Sequence, residues 1–343
     1  MKNDNIKVVI LGLGGVGKRI LKELSTKDGL DIVGVIDSYD AIVGKDAGVV
    51  AGIDPIGVKI SNDEDAVYKE TGADIVLDCA KGCNNAYEPY QQTKKAISYG
   101  LNVIVANSDT SQLWESNPEL AKEIDENCKK HGVTYCGIGS TQELERLVLA
   151  MAEGALSLES VHTTHHADVH AFDPESNKIG PGIGLTEEEW NARTAKEQAN
   201  ASEQKDKYEF WEQASIRYLS ERLGWKIEKI TSMKYPEYDE NGLVYKTTQQ
   251  YCGYDADGKL RMQTDWTYIL DPEMRYFQKI ELDSVPAMNC TIELSPDRGI
   301  ATTAGTMKNA IPHVINAKPG YMVTQDLPIC HYIGGDYRDF LKK

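Results

Sequence analysis

An apolar run, Ile6 to Leu11, leads straight into Gly12-Leu13-Gly14-Gly15-Val16-Gly17, and helical spacing follows through Val16, Ile20, Leu21 and Leu24. A strand that stops on this glycine pattern and restarts as a helix leaves few folds open to the chain. The first glycine permits a tight turn, and the second lets the backbone come close to a pyrophosphate. The third lets helix and strand pack closely, while the helix N-terminus offers N–H donors to an anion. Gly12, Leu13, Gly14, Gly15, Val16 and Gly17 are therefore expected to hold a dinucleotide in a Rossmann domain. Asp37 follows Gly17 by about 20 residues, at the end of the next apolar run, where an acid binds a ribose 2′-hydroxyl. A carboxylate there repels a 2′-phosphate, and Ser38-Tyr39-Asp40 supplies no arginine, so NAD is the expected cofactor. Lys45 keeps NADP possible.

The alternation continues through about residue 140. Strands are expected at Leu30–Ile36, Val58–Ile60, Asp74–Cys79, Asn102–Ala106 and Val133–Gly137. Helices are expected to open at the Ser61-Asn62-Asp63-Glu64 capping box, over Tyr87–Tyr99, and at Asn117-Pro118. This rhythm builds βαβ units and a parallel sheet. The ligand crevice of such a sheet lies at the carboxyl ends of its strands. Ala80, Lys81, Asn107 and Ser108 stand there and are expected to line the cofactor. For each, the plain reading is an ordinary strand–helix loop.

Past Gly139 the pattern changes. A helix over Thr141–Ala155 precedes strands at Trp225–Tyr235, Val244–Tyr254, Leu260–Leu270 and Met288–Leu294, with hairpin turns at Glu240-Asn241-Gly242 and Asp255-Ala256-Asp257-Gly258. An amphipathic helix over Glu203–Leu223 carries Tyr208, Trp211, Ser215, Tyr218 and Leu219 on one side, as core residues. The expected fold is α/β: a Rossmann domain over 1–140, then an α+β domain over 141–300 with an open, largely antiparallel sheet for substrate and oligomerisation. A final helix, Ala301–Ala317, stopped by Pro319 and Gly320, belongs to a tail over 301–343 that returns to the first domain.

The net charge of −16 over 343 residues argues against a phosphate-binding face for nucleic acid. An acidic surface keeps a protein soluble, and it also suits a cationic substrate such as an amine. No apolar run is long enough to span a bilayer, and the short one at the N-terminus lacks a cleavage-type segment, so a cytosolic protein is expected. Seven cysteines without a CxxC pair read as reduced thiols, Cys79 and Cys83 among them.

Hydride chemistry asks the protein for alignment and a proton carrier. The densest source is Val161-His162-Thr163-Thr164-His165-His166-Ala167-Asp168-Val169-His170. On a strand, Thr164, His166, Asp168 and His170 share one face, and Thr163, His165, Ala167 and Val169 the other. His166 and Asp168 are expected as proton-handling and amine-binding groups, with Asp168 fixing an imidazole or receiving an ammonium. The competing reading is a polar face or a set of hydrogen-bonded structural histidines. His166 and His170 lie ~13 Å apart on a strand, beyond one metal's reach, so no metal is expected. Glu143, on the helix after Gly139, is a further candidate.

Gly44-Lys45-Asp46-Ala47-Gly48, Gly182-Ile183-Gly184-Leu185-Thr186-Glu187-Glu188-Glu189-Trp190, Asn309-Ala310-Ile311-Pro312, Ala317-Lys318-Pro319-Gly320-Tyr321 and Asp326-Leu327-Pro328 together resemble the 2,4-diaminopentanoate dehydrogenases and the native amine dehydrogenases. These in turn resemble dihydrodipicolinate reductase in their N-terminal domain. The resemblance implies a two-domain, dimeric subunit that uses NAD(P) to deaminate an amine or amino acid, or to aminate a ketone. It also implies that Asn309 lies near the nicotinamide. Two segments depart from the family. Its glutamate after the Asn102–Ala106 strand is replaced by Asn107-Ser108-Asp109, which makes Asn107 a catalytic position with no base. Its Asn-Pro-Gly-Phe is replaced by Ser140-Thr141-Gln142-Glu143. A cyclic imine or enamine reductase of the dihydrodipicolinate reductase kind is the rival enzyme, faintly echoed by His165-His166. A dinucleotide-binding sensor without turnover is the rival of another class. A sugar dehydrogenase fits less well, because no Glu-Lys-Pro follows Ala106.

Overall fold

The computed structural model describes residues 4–80, 86–138, 142–170, 174–203, 211–271, 276–294 and 298–342. The chain divides into two compact units, Met1–Gln142 with Gly299–Lys343, and Glu143–Arg298.

In chain order the first unit forms β1 (Ile6–Leu11), β2 (Leu30–Ile36), β3 (Ile60–Ser61), β4 (Ile75–Asp78), β5 (Asn102–Ala106) and β6 (Thr134–Ile138). The second unit forms β7 (Ser157–Asp168), β8 (Lys229–Tyr238), β9 (Val244–Tyr254), β10 (Leu260–Ile269), β11 (Tyr276–Val285) and β12 (Met288–Leu294), and β13 (Gly320–Val323) belongs to the first again. The first sheet runs β13-β6-β5-β4-β1-β2-β3, with every pairing parallel. Its order reverses between β1 and β4, which makes that gap the switch point. The expected parallel Rossmann sheet is what the chain forms.

Local chemistry explains the elements. β1 is buried at five of its six positions, as a strand covered on both faces must be. The Gly15–Leu24 helix buries Gly17, Ile20, Leu21 and Leu24 on one stripe. The Arg298–Ile315 helix packs Ala304, Met307, Ala310, Ile311 and Val314 into the same core, with Pro312 in its last turn. At Asn117 the side chain accepts from the Leu120 N–H, and Pro118 takes the first helical position, as read from the sequence. Three local readings need correction. The cap of the Glu64–Thr71 helix is Asp63, which accepts from Ala66 N, while Ser61 Oγ only braces Asp63 N. The third strand is the short Ile60–Ser61 rather than Val58–Ile60. Gly320 does not merely stop a helix; it opens β13 at φ +143°, where a Cβ would lie 2.5 Å from Asp125 Oδ1.

The second sheet runs β12-β11-β7-β10-β9-β8, antiparallel except for the β7–β10 pair. Both expected hairpins form. Asp239 Oδ1 accepts from Asn241 N and Leu243 N, and Asp255 Oδ1 from Asp257 N and Lys259 N. Gly242 and Gly258 supply the positive φ each turn requires. β11 was not anticipated, and β8 begins at Lys229, later than expected. The helix over Trp211–Arg222 buries Tyr218 and Leu219, whereas Tyr208 lies outside the described residues. Among the described residues no helix is long and apolar enough to cross a membrane.

Candidate active site

The glycine segment closes into a compact turn. Gly12 sits at φ +86°, and a Cβ there would lie 2.5 Å from both Cα and N of Ala80. The turn after β1 is therefore stacked directly on the turn after β4. A Cβ on Gly17 would lie 2.0 Å from the Gly12 carbonyl oxygen. Gly14 differs: a Cβ there meets nothing within 4 Å. Gly14 and Gly15 are exposed, and no side chain caps the helix that starts at Gly15. Its first N–H groups have no intrahelical acceptor, and the space beside Gly14 is open. Leu13 is buried, and Val16 packs on the core.

Asp37 completes the cradle. Its Oδ2 accepts from Leu13 N at 2.7 Å and its Oδ1 from Tyr39 N at 2.8 Å, tying the end of β2 to the glycine turn. Each carboxylate oxygen keeps further acceptor capacity for a ribose hydroxyl. Gly12, Leu13, Gly14, Gly15, Val16, Gly17, Asp37 and Ala80 are thus brought together at the switch point. A dinucleotide fits this arrangement: donors at a helix start, a cradle that a Cβ would fill, and an acid at the neighbouring strand end. Lys81 lies outside the described residues, as do Cys83, Gly139, Ser140 and Thr141. Glu143 stands on the Gln142–Ala152 helix, and its side chain is also outside them.

The end of β5 is locked to β6. Asn107 Oδ1 accepts from Asp109 N at 2.8 Å and caps the single 3-10 turn Ser108–Thr110. A Cβ on Gly137 would lie 1.9 Å from the Thr110 carbonyl oxygen, which accepts from Tyr321 Oη at 2.7 Å. Asn107 thus shapes this turn. The half-buried carboxylate of Asp109, two residues on, was not singled out from the sequence. Its position after a central strand was the signal available.

Asn309 stands on the Arg298–Ile315 helix, and its Oδ1 accepts from Ile333 N at 3.4 Å. Its neighbour Lys308 pairs with Glu23, in the last turn of the Gly15–Leu24 helix, at 3.3 Å.

In the second unit the expected alternation holds along β7, but Asp168 ends the strand and His170 lies beyond it, exposed. The pairing of Asp168 with an imidazole is not formed. Its Oδ1 accepts from His170 N at 3.1 Å and Asp271 N at 3.2 Å, closing the turn after the strand. His166 stacks on Phe277 at 5.0 Å between centroids, and burial lowers its pKa, helped by Lys246 and opposed by Asp271. His165 is fully buried and stacks on Trp266 at 3.6 Å. His162, passed over in the sequence, bonds Asp265 Oδ2 at 2.8 Å and approaches Glu281 at 3.6 Å. His170 borders a small cleft of about 320 Å³ with Asn177, Lys178 and Leu270. Among the described residues no three His, Cys, Asp or Glu side chains group as metal ligands.

Comparison with known proteins decides the family. Residues 6–137 match the N-terminal domain of dihydrodipicolinate reductase, and residues 143–343 match the 2,4-diaminopentanoate dehydrogenase C-terminal domain. The 2,4-diaminopentanoate dehydrogenase of Acetoanaerobium sticklandii is 30% identical over 99% of this chain and 98% of its own length. The chain belongs to the 2,4-diaminopentanoate dehydrogenase family. Among solved structures, an amine dehydrogenase from Mycobacterium smegmatis shares the fold, with a TM-score of 0.80, 22% identity, and coverage of 97% of this chain and 99% of that one. A 4-hydroxy-tetrahydrodipicolinate reductase of Methanococcus maripaludis is 32% identical, but over only 36% of this chain and 44% of its own length. For this member of the 2,4-diaminopentanoate dehydrogenase family, the sequence match to these reductases thus lies in the N-terminal part, over residues 6–137.

Proposed function

We propose that the protein is an NAD-linked dehydrogenase that oxidises the carbon bearing the amino group of a small amine or amino acid. With water, the amine gives a ketone and ammonium while NAD takes the hydride; the reverse reaction aminates the ketone. The observation that carries this reading is family membership along the whole chain, over a glycine turn built to hold a dinucleotide. The reductase rival is not favoured, because its sequence match covers only the N-terminal part, while residues 143–343 match the dehydrogenase family.

The bound dinucleotide would supply the hydride acceptor, held by the Gly14–Gly17 segment and Asp37. Asp109, two residues past the Asn107 position where the family carries its glutamate, handles the proton at the amine. Asn107 positions it through the Asp109 N–H. In the second unit His166, kept neutral by burial, is the candidate proton acceptor, while Asp168 holds the turn. A net charge of −16 favours an ammonium substrate reaching the protein. The enzyme works in the cytosol as a homodimer. In support, among the described residues no two cysteines are joined by a disulfide, and one face of the second sheet leaves Met233 and Tyr235 exposed.

Incubation with NAD and a panel of 2,4-diaminopentanoate, other diamines, amino acids and simple amines tests the reading. Formation of reduced nicotinamide with at least one member is expected. Tight cofactor binding without turnover across the panel, and across ketones with ammonium, would favour a sensor instead.

Cofactor choice follows from Asp37. Asp37→Ser removes the carboxylate and its bond to Leu13 N. NADH affinity is expected to fall at least about tenfold and the preference over NADPH to shrink by a similar factor. Equal affinity of the parent for both cofactors would contradict the assignment.

A further inference from the structure

The switch point holds one buried carboxyl that the chemistry above does not use. Asp78 is the last residue of β4 and pairs in register with Leu11, the last residue of β1. It is 3% exposed. Its Oδ1 accepts from Ala80 N at 3.0 Å, and Ala80 is the residue against which the Gly12 turn is stacked. Cys79 N donates to Leu11 O at 2.7 Å, so the two strand ends are joined on both sides of the turn. We propose that Asp78 is a positioning residue of the dinucleotide site, its carboxyl fixing Ala80 as the wall behind the Gly12 turn. This rests on the dinucleotide reading above.

The surroundings make this wall sensitive to pH. Leu11 and Val105 flank Asp78 in the sheet and carry no charge. The Glu64–Thr71 helix presents Glu64 and Tyr68, β6 presents Tyr135, and the Cys79 thiol follows directly in the chain. None of these is a cation. Burial pushes the carboxyl up to about 7; Glu64 adds to the rise, and the Ala80 N–H opposes it. The neutral acid, a carbonyl oxygen with a donor beside it, is mimicked by asparagine. A dinucleotide brings phosphate charge and excludes water, so binding favours the protonated carboxyl. Affinity should therefore fall as pH rises through the folded pKa.

The sign for stability is the same. The unfolded carboxyl ionises near 3.8 and the folded one near 7, so the folded chain binds the extra proton between them. Stability then falls as pH rises through that window, and Asp78→Asn, which cannot ionise, escapes the loss.

The test is NADH binding by fluorescence, from about pH 6 to about pH 8, for the full-length parent, Asp78→Asn and Asp78→Ala, with Tm recorded alongside. The parent is expected to lose about three- to tenfold in affinity across this range, as a rise of up to about one pKa unit on binding gives up to about tenfold. Asp78→Asn should bind with a flat profile and exceed the parent's Tm by more than about 3 °C at the upper pH. Asp78→Ala should bind about tenfold more weakly throughout. A flat parent profile, or a folded Asp78→Ala chain with the parent's affinity, would overturn the inference. If Asp78→Ala does not fold, the parent and Asp78→Asn profiles still decide. A parent that binds no NADH at any pH would overturn the dinucleotide reading as well.

Discussion

A Gly14→Ala chain is expected to fold like the parent and yet lose its dinucleotide, whereas Gly12→Ala and Gly17→Ala are expected to lose stability too. The difference lies in what each new methyl would meet. At Gly14 it enters open space, at a helix cap where alanine costs less than about 1 kcal/mol relative to glycine. That space is where the backbone must approach a pyrophosphate, so NADH affinity should drop at least about tenfold. At Gly17 the methyl would sit 2.0 Å from the Gly12 carbonyl oxygen, and at Gly12 2.5 Å from the Ala80 backbone. Gly12 also has φ +86°, which an L side chain resists. Backbone cannot rotate aside as a side chain can, so each substitution should cost about 2–4 kcal/mol. Denaturant unfolding and NADH titration of the three variants check the pattern. A Gly14→Ala chain that binds NADH as the parent does would remove the cradle from the account.

The second large effect concerns the proton. Asp109→Asn keeps the size of the side chain and the N–H that Asn107 grips, but it cannot exchange a proton. Turnover should fall about 10²- to 10⁴-fold, with NADH affinity within a few-fold of the parent. Asp168→Asn is the contrasting case. Asparagine keeps the Oδ1 that accepts from His170 N and Asp271 N, so its turnover should stay within a few-fold. Steady-state kinetics of both variants distinguishes the assignments. A collapse at Asp168→Asn with Asp109→Asn nearly unchanged would move the proton role from Asp109 to Asp168.

These two cases also mark what the amino-acid order discloses. The glycine turn, Asp37 and the Asn117 cap are local: residue types and spacing nearly determine the geometry, and the structure has them as read. The hairpins at Asp239 and Asp255 are legible for the same reason. β11 is not, because its buried positions include Gln278 and Ser284 beside Ile280 and Leu282, which blurs the apolar alternation. β13 is four residues long and exists because β6 offers it an edge. Site chemistry is harder still. Alternation puts Asp168 and His166 on one face, yet Asp168 is claimed by backbone N–H groups that only the turn brings near. Asn309 bonds Ile333 N, a partner 24 residues on that local spacing does not announce. The raised Asp78 follows from burial on a central strand, where the sequence shows only a polar residue ending an apolar run.

The central claim is that the reacting bond joins carbon to nitrogen, and the ammonium dependence of ketone reduction tests it most directly. NADH oxidation is followed for the keto counterpart of any substrate found in the panel, with and without ammonium. The account predicts consumption of NADH only when ammonium is present, with the amine as product. Equal NADH consumption without ammonium, giving an alcohol, would contradict it.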